Sequence, residues 1–130
     1  MRMRNDSQHC VFEYLYRDAS NWKVWGKVIL QGVPTKEETT ALCDCFDSGE
    51  FFIAEQLCIP TLFQEFMVRF GVPTKDDHCW HEFAGIRPAT EVEVKEGPIW
   101  GTMRSLLRRA NSIVTWNCNL AERRNQLSAS

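Results

Sequence analysis

Two short polar stretches carry the side chains of this sequence that are best suited to chemistry. The first combines a guanidinium, a carboxylate, an amide, an indole and an ammonium, supplied by Arg17, Asp18, Asn21, Trp22 and Lys23. An arginine can hold an anion through two parallel hydrogen bonds, and a tryptophan ring can stack on a flat ligand. The stretch therefore predicts a binding surface for a small molecule or a protein.

The second stretch, residues 76–82, contains the candidate ligand-binding residues Asp77, His78, His81 and Glu82. Imidazole and carboxylate groups suit a general base or a divalent metal. On a strand, however, His78 and Glu82 share one face, while Asp77 and His81 share the other. The two histidines then point apart and cannot bind one ion, so we predict no metal.

The sequence lacks the motifs that would name a reaction. It contains no nucleophile elbow, no glycine-rich phosphate loop and no CxxC pair among its six cysteines. We therefore expect no cofactor and a non-enzymatic role. The alternative is a small hydrolase or metal-dependent enzyme that uses His78 and His81.

Charge and apolar patterning limit the partners. The chain has a formal net charge of -2, and its acidic residues are concentrated in the body, while arginines dominate after residue 101. An acidic body makes nucleic acid an unlikely partner, although aromatic and basic residues interleave along 14–27. Apolar runs are too short for a membrane span, and no apolar segment follows the basic start. We expect a cytoplasmic protein with reduced thiols.

The first polar stretch is the turn of a predicted hairpin. Alternation predicts strands over 10–17 and 22–31, with Phe12, Tyr14 and Tyr16 on one face. Gly26 in the second strand indicates either a bulge or a close backbone approach.

Helices and one later strand follow the hairpin. Capping-box spacing predicts a helix start at Thr35, a second helix begins at Pro60, and a third begins at Thr102. A third strand is predicted over 78–87. Residues 50–59 are ambiguous between a short strand and a buried connection, and 90–96 between an edge strand and a short helix.

This order of elements predicts an α+β fold, with a small antiparallel sheet and about three helices packed on one face. The sheet consists of the N-terminal hairpin and the later strand. We expect a flexible N-terminus over 1–9, a single domain over 10–116 and a loosely held polar tail over 117–130.

Three strings, FEYLYRDASNWKVWG, SGEFFIAEQ and DDHCWHEFAGIRPAT, resemble a group of small uncharacterised bacterial proteins. The resemblance covers roughly residues 11–107 and leaves out the arginine-rich end. It implies a soluble, single-domain bacterial protein. It implies no activity for this chain, because the group has no established activity.

The sequence thus favours a ligand- or protein-binding module that uses the polar and aromatic hairpin surface. Homodimerisation through a sheet edge or an aromatic helix is left open. The deciding question is whether residues 17–23 and 76–82 line one cleft, because convergent polar groups in a concave site indicate function.

Overall fold

A computed structural model describes residues 8–18, 21–71 and 80–117. Within these residues the chain forms five strands and five helices. Their order is β1 (His9–Arg17), β2 (Lys23–Gln31), α1 (Lys36–Asp44), β3 (Phe51–Phe52), α2 (Ala54–Leu57), α3 (Phe63–Phe70), β4 (His81–Pro88), α4 (Glu91–Glu96), β5 (Ile99–Thr102) and α5 (Met103–Ser112).

The strands form one mixed sheet in the order β3-β4-β1-β2-β5. The central strand β1 is antiparallel to both β2 and β4, and β3 is antiparallel to β4. The last strand, β5, instead runs parallel to β2. The predicted α+β class is confirmed. The prediction of a purely antiparallel sheet is corrected, because β5 runs parallel to β2. The predicted numbers of strands and helices were too small, because the short elements β3, α2, α4 and β5 were not counted as separate elements.

The aromatic face of β1 forms the floor of the hydrophobic core. Phe12, Tyr14 and Tyr16 are all essentially inaccessible to solvent, as their alternation predicted. Helices cover this face with buried side chains from four elements: Leu42 of α1, Leu57 of α2, Phe63 and Phe66 of α3, and Met103, Leu106 and Ala110 of α5. Burial of this apolar surface is the main force that holds the helices on the sheet.

Gly26 lies directly under the side chain of Leu62, the residue before α3. It pairs with Tyr14 across the β1–β2 ladder, and a Cβ atom built on it would lie 2.7 Å from Cδ2 of Leu62. The close approach at this glycine is therefore made by a leucine side chain and not, as predicted, by another backbone. The bulge lies elsewhere, where the β1–β4 register shifts between Glu13 and Tyr14.

Residues 90–96, ambiguous in the sequence, form the helix α4. Thr90 accepts a hydrogen bond from the backbone N–H of Glu93, whose carboxylate accepts one from the Thr90 N–H in return. The same capping box starts α1, with Thr35 and Glu38 as its two members. These reciprocal bonds satisfy amide groups that a helix start otherwise leaves unpaired.

The other face of the sheet carries a network of charged groups. The carboxylate of Glu93 accepts hydrogen bonds from Arg87 at 2.7 and 2.9 Å and from Lys27 at 2.6 Å. Arg87 also donates to Glu13 at 3.0 Å. Glu13, Lys27 and Arg87 lie on the sheet face opposite the core, so Glu93 ties α4 to that face.

The predicted terminal segments are described only in part. Residues 1–7 and 118–130 lie outside the described residues, whereas His9 already belongs to β1. Asn117, placed in the loose tail by the sequence, donates its backbone N–H to Oε1 of Gln56 at 2.7 Å. None of the described helices is long and apolar enough to cross a membrane.

Candidate functional site

An arginine–glutamate pair joins the two polar stretches. Leu15 pairs with Glu82 across the β1–β4 ladder, so Arg17, two residues further along β1, projects from the same face as Glu82. Nε and Nη2 of Arg17 donate to the two oxygens of Glu82, each at 3.1 Å. This two-bond arrangement fixes the plane of the guanidinium as well as its position.

The hairpin turn holds Arg17 from a second side. Nη1 of Arg17 donates to the side-chain oxygen of Asn21 at 2.7 Å. Asn21 has a positive φ of 72°, a conformation that asparagine tolerates better than most residues. Asp18 steadies the same turn, because its carboxylate accepts the backbone N–H of Trp22 at 2.9 Å. The turn residues chosen for their chemistry thus also act as structural supports.

A cavity of about 430 Å³ opens beside this pair. Its lining residues come from the hairpin turn, the segment before β3, β3 itself and the start of β4; they are Arg17, Asp18, Asp47, Phe51, Trp80 and Glu82. Phe51 is placed there because it pairs with Glu82 across the β3–β4 ladder. Asp47 is placed there because it forms an isolated bridge with Phe51.

The cavity combines aromatic walls with an excess of negative charge. Phe51 and Trp80 supply the rings, and the Trp80 ring is braced edge-on by Trp116 at 6.4 Å. Among the described residues of the lining, one guanidinium stands with three carboxylates, a formal balance of -2. Ligand sites typically pair apolar walls with a few placed polar groups, and this cavity has that character.

Three of the predicted site residues line the cavity, and a fourth supports it. Arg17, Asp18 and Glu82 are lining residues, and Asn21 positions Arg17. The two stretches therefore do meet in one concave site. Asp77 and His78 lie outside the described residues.

Two other candidates in the hairpin are not among the residues that line the cavity. The Trp22 ring is 57 % exposed and packs on Phe70 of α3, with ring centroids 5.0 Å apart. Lys23 pairs with Arg17 across the β1–β2 ladder, but it is not among the residues that line the cavity. The binding surface expected from the sequence is thus reduced to one side of the hairpin end.

His81 belongs to the core and not to the cavity, which corrects its place among the candidate ligand-binding residues. Its ring is 1 % exposed, and Nε2 accepts the backbone N–H of Leu62 at 2.9 Å. The alternation along β4 that points Glu82 outward turns His81 inward. An imidazole nitrogen engaged in this way holds the start of α3 against the sheet.

Three lining residues were not in the predicted site. Phe51 lies in residues 50–59, a stretch that the sequence offered as a further candidate, and Trp80 lies in the second polar stretch, but neither was among the predicted ligand-binding residues. Asp47 was missed entirely, and its signal was the turn composition of the segment DSGE at 47–50. The pairing of β3 with β4 brings Phe51 and Asp47 beside Glu82, whereas Trp80 is only two residues from Glu82 along the chain.

The described residues contain no cluster of three or more histidine, cysteine or acidic side chains arranged to hold a metal. The four cysteines in the described part of the chain, Cys10, Cys43, Cys45 and Cys58, are all free thiols. Burial raises the pKa of the Cys10 thiol to about 11. A thiol so strongly held in its neutral form is a core side chain and not a nucleophile.

Comparison with protein-family models, with curated proteins and with solved structures found no match to this chain.

Proposed function

We propose that this protein is a non-enzymatic binding module whose ligand, a small molecule or a side chain of a protein partner, enters the cavity beside the Arg17–Glu82 pair. The observation that carries the proposal is the convergence of two separate polar stretches on one aromatic-walled cavity. A concave site with apolar walls and a few convergent polar groups is the usual form of a small-molecule binding site.

The support around the cavity favours binding. Arg17 is held by Glu82 on one side and by Asn21 on the other, so it needs little reorganisation when a ligand arrives. A site that is ordered in advance loses less conformational entropy on binding. For the enzymatic alternative, the described part of the chain offers His81, whose ring is buried and whose Nε2 is engaged with Leu62.

The free thiols and the absence of a membrane-crossing helix in the described residues are compatible with a module that works in the bacterial cytoplasm. That location is part of the proposal. Self-association is a separate question, and light scattering on the purified chain would answer it.

A fragment screen followed by nuclear magnetic resonance tests the proposal. We expect a subset of small aromatic fragments to shift the indole resonance of Trp80 and the amide resonances of Phe51 and Glu82. In the Phe51→Leu variant we expect about threefold to tenfold weaker binding, because the substitution removes an aromatic contact but keeps apolar volume.

Trp22→Leu is the matched control, because this ring is exposed and lies outside the cavity lining. It should leave fragment affinity unchanged. Binding that depends on Trp22 and not on Phe51 would place the site on the outer side of the hairpin and would contradict the proposal.

A further inference from the structure

We infer that the cavity is selective for a positively charged group, an alkylammonium or a guanidinium carried on a flat or apolar body. The inference rests on the proposed function, since it assigns a class of ligand to that same site. It depends on three features of the cavity: how Arg17 is used, which carboxylate is left over, and what the walls are made of.

The positive charge of Arg17 is already matched. Glu82 accepts hydrogen bonds from Nε and Nη2 of Arg17, and the side-chain oxygen of Asn21 accepts one from Nη1. The face of the guanidinium that holds a carboxylate most strongly is therefore occupied by the protein itself. An anionic ligand would have to displace Glu82 to use it.

Asp47 is the carboxylate left over. It lines the cavity and is exposed, and its side chain makes no hydrogen bond or ion pair within the described part of the chain. Asp18 adds a second negative charge to the lining. A cation in the cavity gains attraction from both, and the attraction grows where the walls exclude water.

The walls favour the same ligand. Phe51 and Trp80 are the aromatic residues of the described lining, and the face of an aromatic ring attracts a cation placed within about 6 Å of its centre. Tryptophan is the strongest of these rings. Aromatic walls beside an unpaired carboxylate suit a charged amine better than a neutral or an anionic molecule.

The size of the cavity allows one such group. About 430 Å³ falls at the lower end of the range for small-molecule sites, enough for a compact organic cation or for one arginine or lysine side chain of a partner. A small organic cation and a partner side chain would present the same charged group. A separate arm of the experiment below distinguishes the two.

Isothermal titration with three probes of similar shape tests the charge. The probes are phenethylammonium, which is positive; 2-phenylethanol, which is neutral; and 3-phenylpropionate, which is negative. We expect phenethylammonium to bind at least about fivefold more tightly than 2-phenylethanol, 3-phenylpropionate to bind most weakly, and added salt to reduce the difference.

Asp47→Asn removes the charge and keeps the shape. It should reduce the preference for phenethylammonium over 2-phenylethanol, while Asp18 and the aromatic walls supply what preference is left. Glu37→Gln changes the net charge of the protein equally, from an exposed position on α1 away from the cavity. It should leave both affinities unchanged.

A second arm asks where the cation comes from. An acetylated Gly-Arg-Gly amide is compared with the same peptide containing citrulline, which is neutral and nearly the same shape. Tighter binding of the arginine peptide than of phenethylammonium would indicate a protein side chain, and the reverse would indicate a small molecule.

Two outcomes overturn the inference, and they separate it from the function on which it rests. If 2-phenylethanol or 3-phenylpropionate binds as tightly as phenethylammonium and shifts Trp80, the cavity binds ligands but has no preference for a cation. If none of the probes or peptides shifts the resonances of Trp80 and Phe51, both the inference and the proposed function fail.

Discussion

Arg17 and His81 show how a single position on a strand decides the role of a side chain. Both lie at strand ends near the hairpin turn, and the sequence placed both among the candidate residues. Strand alternation turns Arg17 toward the cavity and His81 into the core. The opposite faces of His81 and Glu82 were predictable from the alternation, but the side that faces the core was not, because helices packed later in the chain decide it.

The structural role of His81 leads to a prediction at the residue scale. His81→Leu leaves the backbone N–H of Leu62 without its acceptor in the core, and a buried donor without a partner costs about 1–3 kcal/mol. The free energy of unfolding, measured by urea denaturation, should fall by that amount.

His81→Gln is the matched variant, because its side-chain oxygen can reach a place similar to that of Nε2. It should recover part of the lost stability. Equal stability of the leucine variant and the native chain would show that the hydrogen bond to Leu62 contributes nothing measurable.

The strands with clear alternation and the helix with a capping box were the elements that could be predicted from the sequence. Both hairpin strands lie within one residue of their predicted positions, and α1 starts at its predicted cap, Thr35. The short pieces were not predictable. β3 has two residues and β5 has four, and each exists because of pairing with a strand distant in sequence. The cavity depends on β3, so its Phe51 wall could not be derived from local patterns.

The close packing of Leu62 over Gly26 predicts a specific sensitivity to added volume. Gly26→Ala should lower the free energy of unfolding by about 1–2 kcal/mol, because the new methyl group would overlap a leucine that is itself buried. Thermal or urea denaturation measures the change.

Two variants control for other causes. Gly101→Ala in β5 meets no atom within 4 Å, and it should change stability by less than about 0.5 kcal/mol. In a Leu62→Ala background, Gly26→Ala should lose most of its cost. If the cost is the same in that background, the contact with Leu62 is not its cause.

The tie between α4 and the sheet predicts a dependence on acid. Hydrogen bonds from Arg87 and then from Lys27 hold the pKa of the Glu93 carboxyl well below its ordinary value of 4.5. A carboxyl whose pKa is lowered by folding stabilises the folded state above the ordinary pKa, and that stability is lost as the pH falls below it.

We therefore expect the urea midpoint of the native chain to fall as the pH decreases from about 6 to about 3, and to fall less steeply in Glu93→Gln. Glu91→Gln, an exposed neighbour on α4 that makes no ion pair within the described residues, should keep the native slope. Identical slopes in all three proteins would show that Glu93 does not anchor the helix.

The sequence predicted part of the charge distribution of the whole molecule, namely an acidic body with arginines after residue 101. Helix α5, whose start at Thr102 was predicted, turns Met103, Leu106 and Ala110 into the core and leaves Arg104 and Arg108 exposed. The cavity carries the opposite sign. The sequence alone did not show that the two polar stretches lie close together in space, because the paired strands β1 and β4 that bring them together are far apart along the chain.

The central claim is that these stretches form one site for a cationic group, and a crystal structure of the protein soaked with phenethylammonium tests it most directly. The account predicts the ammonium within about 3.2 Å of the Asp47 carboxylate and the phenyl ring against Trp80. Density for the probe elsewhere on the surface, with the cavity beside Arg17 and Glu82 filled only by water, would contradict it.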